Sequence, residues 1–363
     1  MSKSSSYIPS LDGLRGLSIL LVFVAHIGFE KIVPGGLGVT IFFFISGYII
    51  TKLLIDEYTK NRRIDLSSFF IRRLLRLYPP LLFMLLLYFT YLLYFNKPFN
   101  YHEVLAAVFY YDNYYIFYDI AGSSALCKIL WSLSVEEHFY IIFPLLLIFL
   151  IKTPRLLIGV LVLLIFVPLA FRFYGHHQYS AELAERYCYV LTHTRFDAII
   201  YGCLSSVLLY MYGSGIYIKI LSNKALFVAA LALQVFCLVY RDIEFRNTLR
   251  YSLQSISLLI IVPAIVNVTD YHKIKQVFSN SVLVYIGKLS YSIYLMHMIA
   301  IDLLDPIKAS IHITFYYLGV TLLTMLLAMF SYYTVEEPFI KLRMAYSAKR
   351  QVKLKSLGPL TYS

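Results

Sequence analysis

The sequence predicts an all-α, polytopic integral membrane protein with about ten transmembrane helices. Three observations carry that reading. Of the 363 residues, 60% are hydrophobic and 14% charged, whereas a soluble domain has about half apolar and about a quarter charged residues. Mean hydropathy is +0.72. Apolar runs of roughly 20 residues, the length that crosses a bilayer, recur from residue 11 to residue 333.

Taken in order, the candidate spans are 11–29, 36–56, 78–96, 132–151, 155–173, 194–212, 224–240, 249–268, 282–304 and 313–334. No cleavable leader precedes the first span, which is expected to stay as an anchor. The stretch 101–118 contains His102, Glu103, Asp112 and Asn113. It is too polar for an ordinary span and is expected to be re-entrant or interfacial. With ten spans and the N-terminus inside, most of the 32 Lys and Arg residues fall in inside loops and the tail, as the positive-inside rule requires. A full span at 101–118 would reverse every later loop. This divides the chain into a transmembrane domain over 1–340 and a basic cytoplasmic tail over 341–363. The predicted location is a bacterial cytoplasmic (inner) membrane, multi-pass, with both termini cytoplasmic.

The net charge of +12 sits at span ends, so lipid rather than nucleic acid is the expected polyanionic neighbour. The four cysteines lack CxxC spacing, and no metal signature or phosphate-binding glycine loop is present. No metal is expected. The many tyrosines, including Tyr110, Tyr111, Tyr114, Tyr115 and Tyr118, read as an interfacial belt or as a sugar-binding surface.

Seven stretches carry polar groups in or beside the predicted membrane helices. Ionisable groups there default to a functional reading. The first span holds Asp12, Arg15 and His26. Eleven residues is about three turns, so Arg15 and His26 share a face roughly 16 Å apart along the axis. Histidine is the side chain best suited to act as a general base near neutral pH. Gly13 and Gly16 allow a neighbouring helix or a ligand to approach. The second span opens on glycines and is interrupted by Ser46 and Tyr48; packing and ligand lining are equally good readings. Arg72, Arg73 and Arg76 form a basic turn before Pro79. They suit phosphate recognition or anchoring at anionic lipid. Trp131, Ser132, Ser134, Glu136, Glu137 and His138 open another span. Carboxylates at a helix N-terminus are favoured by its dipole, and either could orient an imidazole or act as an acid/base partner. Arg195, the segment Tyr294 to His297, and Glu336 beside Pro338 are weaker signals, each as well read as structural.

These blocks, in this order, resemble the membrane acyltransferase-3 family of the O-antigen and exopolysaccharide O-acetyltransferase type. The Arg-x10-His motif falls on Arg15 and His26, and Ser-Gly-Tyr on Ser46 to Tyr48. Arg-x-x-Arg falls on Arg73 and Arg76. The Ser-Leu-Ser-Val-Glu-Glu-Gln-Phe-Tyr block falls on Ser132 to Tyr140, Tyr-Leu-x-His on Tyr294 to His297, and Glu-x-Pro on Glu336 to Pro338. Thr40 stands where the family often has an acidic residue, and His138 where it has Gln. The chain reaches only about 25 residues past its last span, so a stand-alone form without a hydrolase-like domain is expected.

The resemblance implies transfer of an acyl group, most simply acetyl from cytoplasmic acetyl-CoA, to a hydroxyl of a surface or lipid-linked polysaccharide such as O-antigen. His26, Arg15, Glu136 and Glu137 would be catalytic, and Arg72, Arg73 and Arg76 would hold the donor. Ser46, Tyr48, Trp131, Ser132, Ser134, Arg195, Tyr294, His297 and Glu336 would line substrate. A transporter of an acyl donor or lipid-linked sugar is the rival reading. An O-acyltransferase acting on a small molecule, lipid or peptidoglycan is another. Oligomeric state is left open.

Overall fold

A computed structural model describes residues 7–118, 124, 127–213 and 215–356, with side chains of the last helix described to Tyr346. Among the described residues every regular element is helical. Each of the ten span positions carries a helix. Eight are long and apolar enough to cross a membrane. The other two, Asp197–Tyr212 and Lys224–Val239, have 16 residues each, about 24 Å of helix against a hydrocarbon core of about 30 Å.

The chain opens with α1 (Pro9–Val24), started by a proline in its first turn. A π-helical turn, Ala25–Phe29, continues it and ends around Gly28 at φ 117°. Next come α2 (Gly35–Asn61) and α3 (Leu66–Tyr94). Asp65 caps α3, accepting from Ser68 N and Ser68 Oγ at 3.1 and 2.7 Å. The sequence placed a basic turn before a span starting near residue 78. In the structure one helix runs from Leu66 through Pro79 and Pro80, so the three arginines lie on the spanning helix itself. Prolines inside membrane helices are tolerated where other groups satisfy the freed carbonyls.

The segment 101–118 forms two short helices, α4 (Tyr101–Val108) and α5 (Asp112–Tyr118). The longer is about 12 Å, so neither crosses a bilayer. Side chains hold α5 onto its neighbours. Asn113 Nδ2 donates to Thr192 Oγ1 at 2.8 Å, and Tyr114 OH meets His193 Nδ1 at 3.3 Å. Thr192 Oγ1 lies 2.7 Å from His138 Nδ1, and His138 also bonds the Tyr110 backbone. Because Thr192 Oγ1 already accepts from Asn113, its O–H is left to donate to the imidazole. His138, the departure at the fourth block, is thus a fastener for this segment.

Helix α6 runs Cys127–Leu150 and α7 runs Pro154–Gln178. Short helices α8 (Ala181–Val190) and α9 (Thr192–Arg195) precede α10 (Asp197–Tyr212). Arg195 therefore ends α9 and Asp197 begins α10, where the sequence had one span from 194. The rest is α11 (Ile216–Leu221), α12 (Lys224–Val239), α13 (Ile243–Asn247), α14 (Leu249–Asn267), α15 (His272–Phe278), α16 (Ser281–Leu304), α17 (Ile313–Ser331) and α18 (Glu337–Ser356). A second π-helical turn, Tyr332–Glu336, joins the last two. The region expected as a tail is helical to Ser356; residues 357–363 lie outside the described residues.

Contacts group the chain into two compact units. The first takes the segments up to Ile64 and Leu105–Ser290; the second takes Asp65–Val104 and the chain from Tyr291. In the first, glycines set the helix spacing. A Cβ on Gly13 would lie 1.7 Å from Phe278 O, on Gly16 2.3 Å from Leu283 O, and on Gly287 1.8 Å from Asp12 O. Backbone packs on backbone there, which locks α1 against the start of α16. Gly47 and Gly202 do the same for α2 and α10, with Cβ positions 1.9 and 2.0 Å from the facing carbonyl oxygens of Ile199 and Phe44.

Candidate active site

In the first unit the site begins on α1. Arg15 pairs with Asp12 at 3.6 Å, both side chains partly exposed. His26 is exposed at its surface, and the charge of Glu30, one turn on, reaches it. The sequence reading passed over Glu30 because it lies just past the apolar run. His26 occupies the π-helical turn, where hydrogen bonds run i to i+5 and the α-helical phase is broken. Such turns recur at functional sites. The glycines of α1 turn out to serve helix approach rather than ligand approach.

Ser46 on α2 and Glu136 on α6 come together. Ser46 Oγ donates to Glu136 Oε1 at 2.8 Å, and Tyr140 OH donates to Oε2 at 3.2 Å. Sequence reasoning put Glu136 and Glu137 at a helix N-terminus. Helix α6 starts at Cys127, so they lie more than two turns inside, beyond the reach of the end dipole. Hydroxyl donors from two directions stabilise the Glu136 carboxylate instead. Glu137 is half-buried beside it, and Ser132 is buried one turn earlier. Tyr48 is buried with its OH accepting from Asn267 Nδ2 at 3.2 Å; it packs α2 against α14.

Two arginines are fully buried here. Arg172, on α7, is completely engaged. Its Nη2 lies 2.8 Å from Asp197 Oδ2 and 2.6 Å from Ser252 Oγ; its Nε and Nη1 donate to the carbonyls of Thr248 and Thr194 at 2.9 and 2.5 Å. The sequence reading missed Arg172, although a charge inside an apolar stretch was the available signal. Arg195 is held differently. Its Nη1 donates to Tyr189 O at 3.2 Å and its Nη2 to Thr40 Oγ1 at 3.3 Å. Four rings surround the guanidinium: Tyr251 at 4.0 Å, Tyr189 at 5.1 Å, Trp131 at 5.4 Å and Phe43 at 5.8 Å. Gly36 packs on the Tyr189 ring and Gly35 on Ala25, so this cage stands at the His26 end of α1 and α2. Ser134 is buried on the same α6 face as Trp131 and His138.

In the second unit, Arg72, Arg73 and Arg76 are half-buried on α3. Arg343 of α18 lies within electrostatic reach of Arg73, Arg72 and Glu336. Glu336, buried at the end of the second π-helical turn, accepts from Ser292 Oγ at 2.8 Å. His297 is fully buried, with Nδ1 2.7 Å from Tyr294 O. A ring nitrogen facing a carbonyl must carry the proton, which leaves Nε2 as the acceptor of a neutral ring. Tyr294 is buried one turn before it. Among the described residues no three His, Cys, Asp or Glu side chains converge as metal ligands would.

Comparison with known proteins follows this geometry. A family model described as an acyltransferase domain, acyltransferase family 3, matches residues 8–333. A Staphylococcus aureus (strain COL) protein named "Putative O-acetyltransferase SACOL0978" is 34% identical over 359 residues, covering 93% of this chain and 58% of that protein. O-acetyltransferase OatA of Staphylococcus aureus (strain NCTC 8325 / PS 47) is 32% identical over 358 residues, with the same coverage of 93% and 58%. The chain thus spans a little over half the length of these curated relatives. No solved structure matches it.

Proposed function

The chain belongs to the acyltransferase family 3, and we propose that it is a multi-pass membrane O-acetyltransferase. In this reading it takes acetyl from acetyl-CoA on the cytoplasmic side of the inner membrane and gives it to a hydroxyl of a surface or lipid-linked polysaccharide outside, with both termini cytoplasmic. One observation supports it above the others. The accessible His26 stands at a π-helical break of α1, the helix that also carries Arg15 and is held in place by backbone-to-backbone glycine contacts.

The chemistry divides between the two ends. Arg72, Arg73 and Arg76, with Arg343 within electrostatic reach of the first two, offer the planar cations that suit CoA phosphates. His26 takes the proton of the acceptor hydroxyl as its oxygen attacks the thioester carbonyl. The C–S bond then breaks and the thiol leaves with a proton. Alternatively His26 carries the acetyl group between donor and acceptor. Arg15 steadies developing charge along the path. Glu136, held by Ser46 and Tyr140, orients or charge-balances His26 at the acceptor end.

Cells carrying His26→Ala test the reading. Mass analysis of the surface polysaccharide should show O-acetyl groups lost while protein level is unchanged, since His26 is exposed and its removal opens no cavity. Retained acetylation at normal protein level would remove His26 from the mechanism.

A further inference from the structure

Arg195 and Arg172 make an informative pair. Both are fully buried. Arg172 has Asp197, Ser252 and two carbonyls. Among the described residues no carboxylate lies within ion-pair distance of Arg195, and the charge of Asp197, which reaches it, is already bonded to Arg172. Its Nε–H finds no hydrogen-bond acceptor among the described residues. A buried charge without an opposite charge is costly. The ring cage recovers part of that cost, but a ring face cannot accept in line with an in-plane Nε–H as an oxygen does.

A second orphan lies on the facing helix. Ser134 Oγ is buried and likewise has no partner among the described residues. It sits on α6 between Trp131, 5.4 Å from the Arg195 guanidinium, and His138, 2.7 Å from Thr192 Oγ1. Positions 131, 134 and 138 follow helical spacing, so all three face α9. The seam between α6 and α9 therefore holds two donors lacking an acceptor, one of them a full positive charge. An anionic oxygen satisfies both. A neutral hydroxyl would satisfy the geometry and leave the charge uncompensated.

We propose that Arg195 and Ser134 form an anion subsite for the acceptor, so that this protein acts on a glycan bearing a carboxylate or phosphate. The inference rests on the acyl-transfer reading and names the substrate class for it. The subsite stands at the His26 end of α1 and α2, through the contacts of Gly35 and Gly36, which is the acceptor end in that reading. Trp131 and Tyr189, their ring centroids 4.8 Å apart, form one side of the cage around Arg195.

Thr40 supplies the discriminating variant, because its Oγ1 already touches Arg195 Nη2. Thr40→Asp places a carboxylate on the guanidinium from within. For purified full-length protein, inorganic phosphate and glucuronate are titrated as probes and the thermal midpoint is followed. The wild-type midpoint should rise with the logarithm of ligand concentration above Kd, and Thr40→Asp should raise the apparent Kd about tenfold or more, the worth of a charge-assisted hydrogen bond. Its unliganded midpoint should stand at or above that of wild type. Arg195→Lys should bind more weakly while folding. Equal binding by wild type and Thr40→Asp, or no binding by wild type, overturns the proposal. In a transfer arm with labelled acetyl-CoA, a uronic-acid disaccharide, its methyl ester and a polyprenyl-diphosphate-linked neutral disaccharide separate carboxylate from phosphate as the source. Equal labelling of the ester and the acid, with no labelling advantage for the diphosphate, also overturns it. Anion binding without any transfer would contradict the acyl-transfer reading and leave the anion subsite standing.

Discussion

Replacing Gly287 by alanine should disable the protein by moving α1. The new Cβ would lie 1.8 Å from Asp12 O, 2.6 Å from Asp12 C and 3.1 Å from Gly16 N. Ordinary contact for such atoms begins about 1.5 Å further out, and the atoms met are backbone, so no rotamer change relieves the clash. The two helices must separate by more than an ångström. Overpacking of this kind costs about 1–3 kcal/mol, and a clash with main chain belongs at the upper end, about 3 kcal/mol. Alanine's better helix propensity returns about 1 kcal/mol. The net loss is about 2 kcal/mol, read as a lowered thermal midpoint of purified protein. Activity should fall further, because α1 carries Arg15 and His26, the groups proposed for the reaction, and a 1 Å displacement of reacting groups costs about a hundredfold in rate. Gly159→Ala is the control: nothing lies within 4 Å of that Cβ, and the change should be neutral or stabilising by up to about 1 kcal/mol. If Gly287→Ala matches wild type in midpoint and acetyl transfer, the claim that glycine contacts position the site is wrong.

Further outcomes are expected elsewhere. Asp197→Ala leaves Arg172 buried without its carboxylate and should cost about 3–5 kcal/mol, and replacing both residues by apolar ones should recover most of that. Thermal midpoints of the single and double variants decide it. Burial holds His193 below its usual value of 6.5, and the groups meeting it, Tyr114, Tyr187 and Phe171, are uncharged rings. Its contribution is therefore fully present above pH 6.5 and is lost as pH falls through the lower folded value, because the unfolded chain binds the proton more readily. His193→Phe should flatten the midpoint-against-pH curve between pH 7.5 and 5, and an unchanged slope would refute this. Arg73→Glu should raise the KM for acetyl-CoA about tenfold or more with little change in stability; a change in kcat alone would count against donor binding.

The helix positions were legible in the sequence because a bilayer imposes one length and one polarity on every crossing. That is why α1, α2, α7, α14 and α17 fall where hydropathy puts them. Helix starts such as Leu66 and Cys127 were missed because polar first turns can be helical without being apolar. Gly13, Gly16 and Gly47 stood out as unusual, but their partners Phe278, Leu283, Gly287 and Gly202 are distant in sequence. The same limit hid the core of the site. Ser46 and Glu136 are 90 residues apart, and Thr40 and Arg195 are 155 apart; no local pattern joins them. The π-helical turns at His26 and Glu336 leave no mark in periodicity over five residues. Arg172 was concealed by its setting, since one charge scarcely lowers the hydropathy of a strongly apolar stretch.

In the proposed function an acetyl group passes from a donor on the basic-loop face to an acceptor hydroxyl on the other. Sealed vesicles holding the purified protein in one orientation test it directly. Labelled acetyl-CoA is added on the face of the Arg72, Arg73 and Arg76 helix end, with an acidic oligosaccharide on the opposite face. Label should appear covalently on the oligosaccharide, as alkali-labile ester, with wild type and not with His26→Ala. Unreacted acetyl-CoA accumulating across the membrane, or label on the acceptor in both proteins, would contradict it.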